Sequence, residues 1–159
     1  MSDSTGALRD FVEADLPALI DFWVAAWRGT GFSIDFDARR EWLRNHLRTL
    51  RRDGAAIVVG LDEEGAPAGF VTIDAKTGAL DQLCVAPSEW GSGLARALLN
   101  EAKRRSPGAV ELEVNEANAR ALRFYQREGF AAVSRGVSAL SGLPTVKIRW
   151  RAKEGGSPP

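Results

Sequence analysis

Between residues 79 and 108 the chain passes from an apolar run, Ala79 to Val85, through a short segment carrying Gly91 and Gly93. It then enters a helical pattern that ends near Arg105 and is stopped by Pro107-Gly108. This succession of strand, glycine loop and helix constrains fold and function together. The first amides of a helix have no intrahelical partner and carry a partial positive charge. Glycines at that point let the backbone approach a ligand with no Cβ in the way. The combination makes an anion site, and a diphosphate is its usual occupant. Taken alone, the segment also fits glycines that simply begin a helix after a turn. A P-loop would carry Lys and then Ser or Thr after its last glycine, where this chain has Leu94-Ala95. A dinucleotide-binding loop would place its first glycine near the strand end and its third where Arg96 stands. Here Ala86 to Trp90 intervene before Gly91. Glu113, about twenty residues further on, leaves that reading weakened rather than excluded.

The rest of the chain supplies a sheet and its covering helices. Leu8 to Val12 reads as a short strand. Ala14 to Trp27 sets Leu16, Leu19, Ile20, Trp23, Val24 and Trp27 at helical spacing, and Asp15 and Pro17 suit a first turn. A glycine-bearing connection, Arg28 to Ile34, leads to a second helix over Asp37 to Arg52. Its apolar members Trp42, Leu43, Leu47 and Leu50 lie on one side of a charged surface. Ala55 to Leu61 and Ala68 to Asp74 flank Asp62-Glu63-Glu64-Gly65 as an antiparallel hairpin. Beyond the glycine loop come a strand at Ala109 to Val114 and a helix at Ala117 to Arg127 closed by Gly129. Two last strands, near Ala131 to Ser138 and Thr145 to Trp150, are joined by Ser141-Gly142-Leu143-Pro144. The expected fold is α/β: a central mixed β-sheet of about seven strands with about four helices on its two faces.

The 159 residues suit one domain, expected over residues 7–152. Residues 1–6 are expected to be disordered and residues 153–159 to form a flexible tail. Lys plus Arg and Asp plus Glu both number 21, and zero formal charge argues against a nucleic-acid partner. One cysteine, Cys84, offers neither a disulfide framework nor a Cys/His cluster with metal spacing, so no metal is expected. No apolar run has the length of a membrane span or the character of a signal peptide. With the lone thiol, this reads as a cytoplasmic protein, monomer or homodimer, with no membrane partner.

From Leu80 to Phe130 the chain resembles the GNAT superfamily of N-acetyltransferases. Leu83-Cys84-Val85-Ala86-Pro87 is similar to the family's fourth strand and exit. Trp90-Gly91-Ser92-Gly93-Leu94-Ala95 is similar to its pyrophosphate loop, with Trp90 where the family prefers Arg or Gln. Leu112-Glu113-Val114, Asn118, Ala121, Tyr125 and Gly129-Phe130 match its second signature, in which an Asn and a Tyr precede a Gly-Phe pair. The resemblance implies acetyl-CoA as cosubstrate, its diphosphate on the 90–95 loop, with Arg96 as a replacement charge. It also implies that the fourth and fifth strands splay apart and admit the pantetheine arm like an added strand. That arm would pair with the backbone of Leu83 and Val85, on either side of Cys84. Asn118 would touch the pantetheine or diphosphate region, cap its own helix, or do both.

For catalysis the resemblance implies direct attack by an amine within a ternary complex. A Cys84 acyl-enzyme is disfavoured, because no His or Lys stands near it in sequence to activate the thiol. Tyr125, the only tyrosine, stands where the family places the acid for the leaving thiolate. Asp81 is the expected base, since strand alternation would give it the face of Leu83 and Val85. Glu113 and bulk water are the weaker alternatives. The acceptor is expected between the first two helices and the last strands, with Trp27 and Phe32 lining its site. Trp23 and Trp42 read as core, and His46, on a charged helix, as a surface residue. The implied activity is acetyl transfer from acetyl-CoA to a primary amine of a small molecule or peptide. A catalytically silent acyl-CoA-binding module is the alternative, and a nicotinamide-dependent enzyme a more distant one.

Overall fold

A computed structural model describes residues 7–28, 35–139 and 141–152. Both chain ends named above, and Phe32, lie outside the described residues. The elements are β1 (Leu8–Asp10), α1 (Leu16–Arg28), α2 (Phe36–Arg52), β2 (Ala56–Leu61), β3 (Pro67–Asp74) and β4 (Ala79–Val85). They continue with α3 (Leu94–Arg105), β5 (Ala109–Asn115), α4 (Ala119–Arg127), β6 (Ala131–Val137) and β7 (Pro144–Arg151). The expected order and mixed α/β class are thus present. Helix α1 begins two residues late because Glu13–Asp15 form a 3-10 turn. Asp15 is buried there, and its carboxylate accepts both guanidinium bonds of Arg9 and the amide of Val12, each at 2.9 Å.

One seven-stranded sheet runs β1-β2-β3-β4-β5-β7-β6. Every neighbouring pair is antiparallel except β4 and β5. Alternation in β2 sends Val58 to one face and Ile57 and Val59 to the other. On the first face Val58, Val71 and Val110 pack with Leu94, Leu98 and Leu99 of α3 and Tyr125 of α4. On the second, Ile57, Val59 and Phe70 pack with Leu19, Ile20 and Trp23 of α1 and Leu43 and Leu47 of α2. Each fully buried Leu of this kind contributes about 1.5–3 kcal/mol of transfer free energy.

Two irregularities in β4 shape everything that follows. The first is a bulge: Ile73 pairs with Leu80 but Val71 pairs with Leu83, so β4 carries one extra residue. Leu80 and Leu83 therefore share the α3 face, while Asp81 and Gln82 both reach the helices of the opposite face. This corrects the expectation that Asp81 shares a face with Leu83 and Val85, because simple alternation fails across a bulge. The second is the brevity of the parallel pairing. Ala79 is in register with Glu111, and Glu111 N–H donates to Gly78 C=O at 2.8 Å, before the strands part. The expected splay is therefore present.

Gly78 closes the pivot of that splay. It holds φ +80°, and an added Cβ would stand 2.7 Å from the Ala109 carbonyl oxygen. Gly78→Ala is expected to cost about 2 kcal/mol through strain and steric overlap. Thermal unfolding followed by circular dichroism should show a fall of about 4–8 °C.

Candidate active site

A cavity of about 650 Å³ occupies the space where β4 and β5 part. Its walls come from both strands, from α1, α2 and α4, and from the start of β7. Among the described residues no group of three or more His, Cys, Asp or Glu could hold a metal ion. No helix there is long and apolar enough to cross a membrane.

At one end stands the glycine loop. Gly91 and Gly93 hold φ of +84° and +95°, the left-handed region that side chains disfavour. A Cβ on Gly91 would meet nothing within 4 Å, so that face of the loop is open to an incoming group. Ser92 Oγ accepts from the Leu94 amide at 3.2 Å, and the Ala97 amide donates to Gly93 C=O at 3.0 Å. Among the described residues no hydrogen bond engages the amides of Gly91, Gly93, Ala95 or Arg96. Four free donors beside a helix N-terminus fit a diphosphate.

Trp90 serves this loop as a latch. Its indole N–H donates to Val85 C=O at 3.1 Å, tying the loop to the end of β4. The Arg120 guanidinium lies 4.5 Å from its ring centre, a cation–π contact that brings positive charge beside the loop. Arg96, named from sequence as a replacement charge, pairs instead with Glu128 at 3.4 Å.

The middle of the cavity holds a phenol and a thiol, Tyr125 and Cys84. Tyr125 is buried edge-on between Phe124 and Phe130, at ring separations of 5.1 and 5.4 Å. Burial, and then the neighbouring Cys84, hold its hydroxyl above the ordinary tyrosine range. Burial likewise pushes the Cys84 thiol up to about 12. Leu83, Cys84 and Val85 line the cavity while pairing with Val71, Phe70 and Gly69 of β3 on their other edge. Asn118 caps α4, accepting from the Ala121 amide at 3.1 Å, and also lines the cavity. Asn115 Oδ1 and Thr145 Oγ1, on cross-strand partner residues, are buried with no hydrogen-bond partner among the described residues.

At the far end, polar and aromatic groups form one connected set. His46 Nε2 lies 2.6 Å from Asp81 Oδ1. Gln82 Nε2–H donates to the same oxygen at 3.1 Å and its Oε1 accepts from the Trp23 indole at 3.3 Å. The His46 ring stacks on Trp42 at 4.4 Å, and Trp42 stacks on Trp23 at 6.2 Å. Burial would raise the Asp81 carboxyl, but the hydrogen bonds and charge of His46, with Gln82, hold it below the usual range. His46 is thus half-buried in the cavity wall rather than a surface residue. The signal for it in the sequence was Trp42, one helical turn earlier on the same face. Trp27 lines the cavity, edge-on to Trp23 at 6.2 Å. Glu113 lines it as well, an exposed residue between buried Leu112 and Val114 of β5.

A seven-stranded mixed sheet, split between its two parallel strands and ending in an amide-rich glycine loop, defines an acyl-CoA-dependent acyltransferase class. Residues 16–130 match the model of the Acetyltransferase (GNAT) family, and the chain belongs to that family of N-acetyltransferases. It is 29% identical over 140 residues to an uncharacterised N-acetyltransferase of Methanocaldococcus jannaschii, covering 79% of this chain and 61% of that one. It thus spans under two thirds of that relative's length. It is 28% identical over 145 residues to the peptidyl-lysine N-acetyltransferase YiaC of Escherichia coli, covering 90% and 95% of the two chains. Its fold matches a GNAT superfamily phosphinothricin acetyltransferase from Sinorhizobium meliloti, solved in complex with acetyl-CoA. The TM-score is 0.69 at 23% identity, over 95% of this chain and 90% of the other.

The raised thiol makes a direct prediction. At pH 8.5 native Cys84 should react with iodoacetamide at least about 100-fold more slowly than the unfolded chain, since only the thiolate attacks. Mass spectrometry with and without urea measures both rates, and comparable rates would contradict the burial of Cys84.

Proposed function

We propose that the chain transfers an acetyl group from acetyl-CoA to a primary amine of a small molecule or peptide, by direct attack in a ternary complex. The observation that carries this reading is the alignment of three features along one cavity. These are the free amides of Gly91, Gly93, Ala95 and Arg96 next to the cavity-lining Trp90, the edge of β4 at Leu83 and Val85 that β5 leaves without a strand partner, and the buried Tyr125 hydroxyl. Acetyl-CoA supplies the activated thioester. The backbone of Gly91, Ser92, Gly93, Leu94 and Ala95 holds its diphosphate, with Trp90 fixing the loop. Arg96 flanks the loop, and Asn118 borders the same channel. Leu83 and Val85 offer a strand edge to the pantetheine amides, and Cys84 packs beside them without reacting.

Tyr125 gives its proton to the departing sulfur, a step for which its neutral state at pH 7 is required. The amine enters from the side of Asp81, where its proton is removed, past Trp27; Phe32, the other residue expected to line its site, lies outside the described residues. The name of the Escherichia coli relative supports a lysine side chain on a peptide as one acceptor worth trying first.

Free-thiol release should require both acetyl-CoA and an amine. Tyr125→Phe should lower kcat by about 10²–10⁴-fold with acetyl-CoA affinity nearly unchanged. Cys84→Ala should keep most of the activity. Stabilisation of the protein by acetyl-CoA without turnover on any amine panel would instead identify a silent binding module. Absence of any acetyl-CoA binding would overturn the whole reading.

A further inference from the structure

The acceptor end of the cavity contains a side chain to which the acetyl-transfer reading gives no role. His46 is the chain's only histidine, and it comes from α2, outside the segments that resemble known motifs. Its ring is fixed on two sides. Asp81 holds Nε2 at 2.6 Å, and Trp42 stacks on the ring face at 4.4 Å with 17° between planes. Trp42 is backed by Trp23, whose indole bonds Gln82, which in turn bonds Asp81. Four side chains from α1, α2 and β4 therefore close a ring with the imidazole at the cavity wall. A surface histidine needs none of this support.

Resting on the acetyl-transfer reading, we propose that His46, oriented by Asp81, is the proton acceptor for the incoming amine. Oδ1 of Asp81 already takes two hydrogen bonds, which makes that carboxylate a poor base and a good anchor. Its carboxyl is held below the usual range and so stays ionised, which agrees with an anchoring role. The charged groups that share the cavity are Arg39 on α2, Glu111 and Glu113 on β5 and Lys147 on β7. Glu111 is engaged by Arg149 at 2.7 Å and by Lys147 at 3.8 Å. On the outward side of α2, Arg40 pairs with Asp21 of α1 and Arg48 with Glu13. Glu113 is the competing base, but its side chain is exposed between buried Leu112 and Val114, without the support that holds His46.

The proton balance closes. The acceptor ammonium gives one proton to neutral His46, and the imidazolium formed is matched by the Asp81 carboxylate. The nitrogen lone pair forms a bond to the thioester carbonyl carbon, and the carbon–sulfur bond breaks with its electron pair on sulfur. Tyr125 protonates that sulfur, and the second proton lost from nitrogen restores Tyr125. His46 then releases its proton to water, so one proton leaves per turnover.

The test uses the full chain, acetyl-CoA and a lysine-containing peptide, with a panel of small primary amines beside it. His46→Gln should lower kcat/KM about 100-fold at pH 7 and remove the acidic limb of its pH profile, with the acetyl-CoA Kd within about twofold of the parent. Asp81→Asn should lose activity comparably, and the double variant should be no worse than His46→Gln alone. In His46→Ala, added imidazole should restore part of the rate, which a merely structural role would not allow. Activity of His46→Gln within threefold of the parent, or an unmoved acidic limb, overturns the proposal while leaving acetyl transfer intact. So does a loss confined to Glu113→Gln. If the unsubstituted protein itself releases no thiol with any amine, the acetyl-transfer reading fails and this proposal with it.

Discussion

The molecule is organised by a parallel strand pair that is joined at one end and open at the other. β5 is held along its whole length by β7, from Ala109–Arg151 to Asn115–Thr145. β4 is held in the same way by β3 on its far edge. Each half of the sheet is therefore rigid without the other, and the gap between them need not collapse. An open sheet edge normally invites another strand. Here the edge is shielded by α1 and α2 on one side and α4 on the other, so only an extended ligand arriving along the cavity can use it. Parallel strands require a crossover, and α3 supplies it, which is why a helix N-terminus stands at the open end of β4. The glycine loop and the split sheet are thus two consequences of one topology.

Much of this was legible in the chain because periodicity reports burial. The apolar faces of α1 and α2, the hairpin of β2 and β3, and the loop at Gly91 and Gly93 all follow from spacing and turn residues. The face taken by Asp81 and the place of His46 were not legible, for two physical reasons. Alternation places residues correctly only in a regular strand, and the extra residue opposite Thr72 carries Asp81 to the helix face. Nothing in the composition of Leu80-Asp81-Gln82 announces a bulge. His46 was hidden because its own helix is highly charged, and its burial depends on Asp81, 35 residues away. Contacts of that range depend on strand register, which local patterns do not contain. Phe32, the other acceptor-side candidate, lies outside the described residues.

Trp90 illustrates how a departure from a family pattern can change the means while keeping the element. A basic or amide side chain at that position could meet the phosphate directly. The indole turns back to the Val85 carbonyl, and the amides of Gly91, Gly93, Ala95 and Arg96 stay free of internal partners among the described residues. Arg120, on the first turn of α4, then brings the positive charge to the loop across the ring face. Charge and loop geometry, combined in one residue in the usual pattern, are divided here between two elements. The helix that carries Tyr125 is thereby tied to the loop.

The polarity of the cavity changes along its length in the order that acetyl transfer needs. Near Cys84 and Tyr125 the surroundings are apolar enough to keep both groups protonated. Near Asp81 and His46 a carboxylate is stabilised by hydrogen bonds despite partial burial. In the proposed mechanism a charged amine is drawn to one end, while a departing thiolate at the other end faces surroundings that penalise its charge until Tyr125 neutralises it. That mechanism also keeps proton removal apart from proton donation. The sheet enforces that separation: Asp81 is displaced to the α2 side by the bulge, and Tyr125 is packed with the α3 face of the core. An extra residue in one strand thereby places Asp81 on the α2 face of the sheet, opposite the face against which Tyr125 packs.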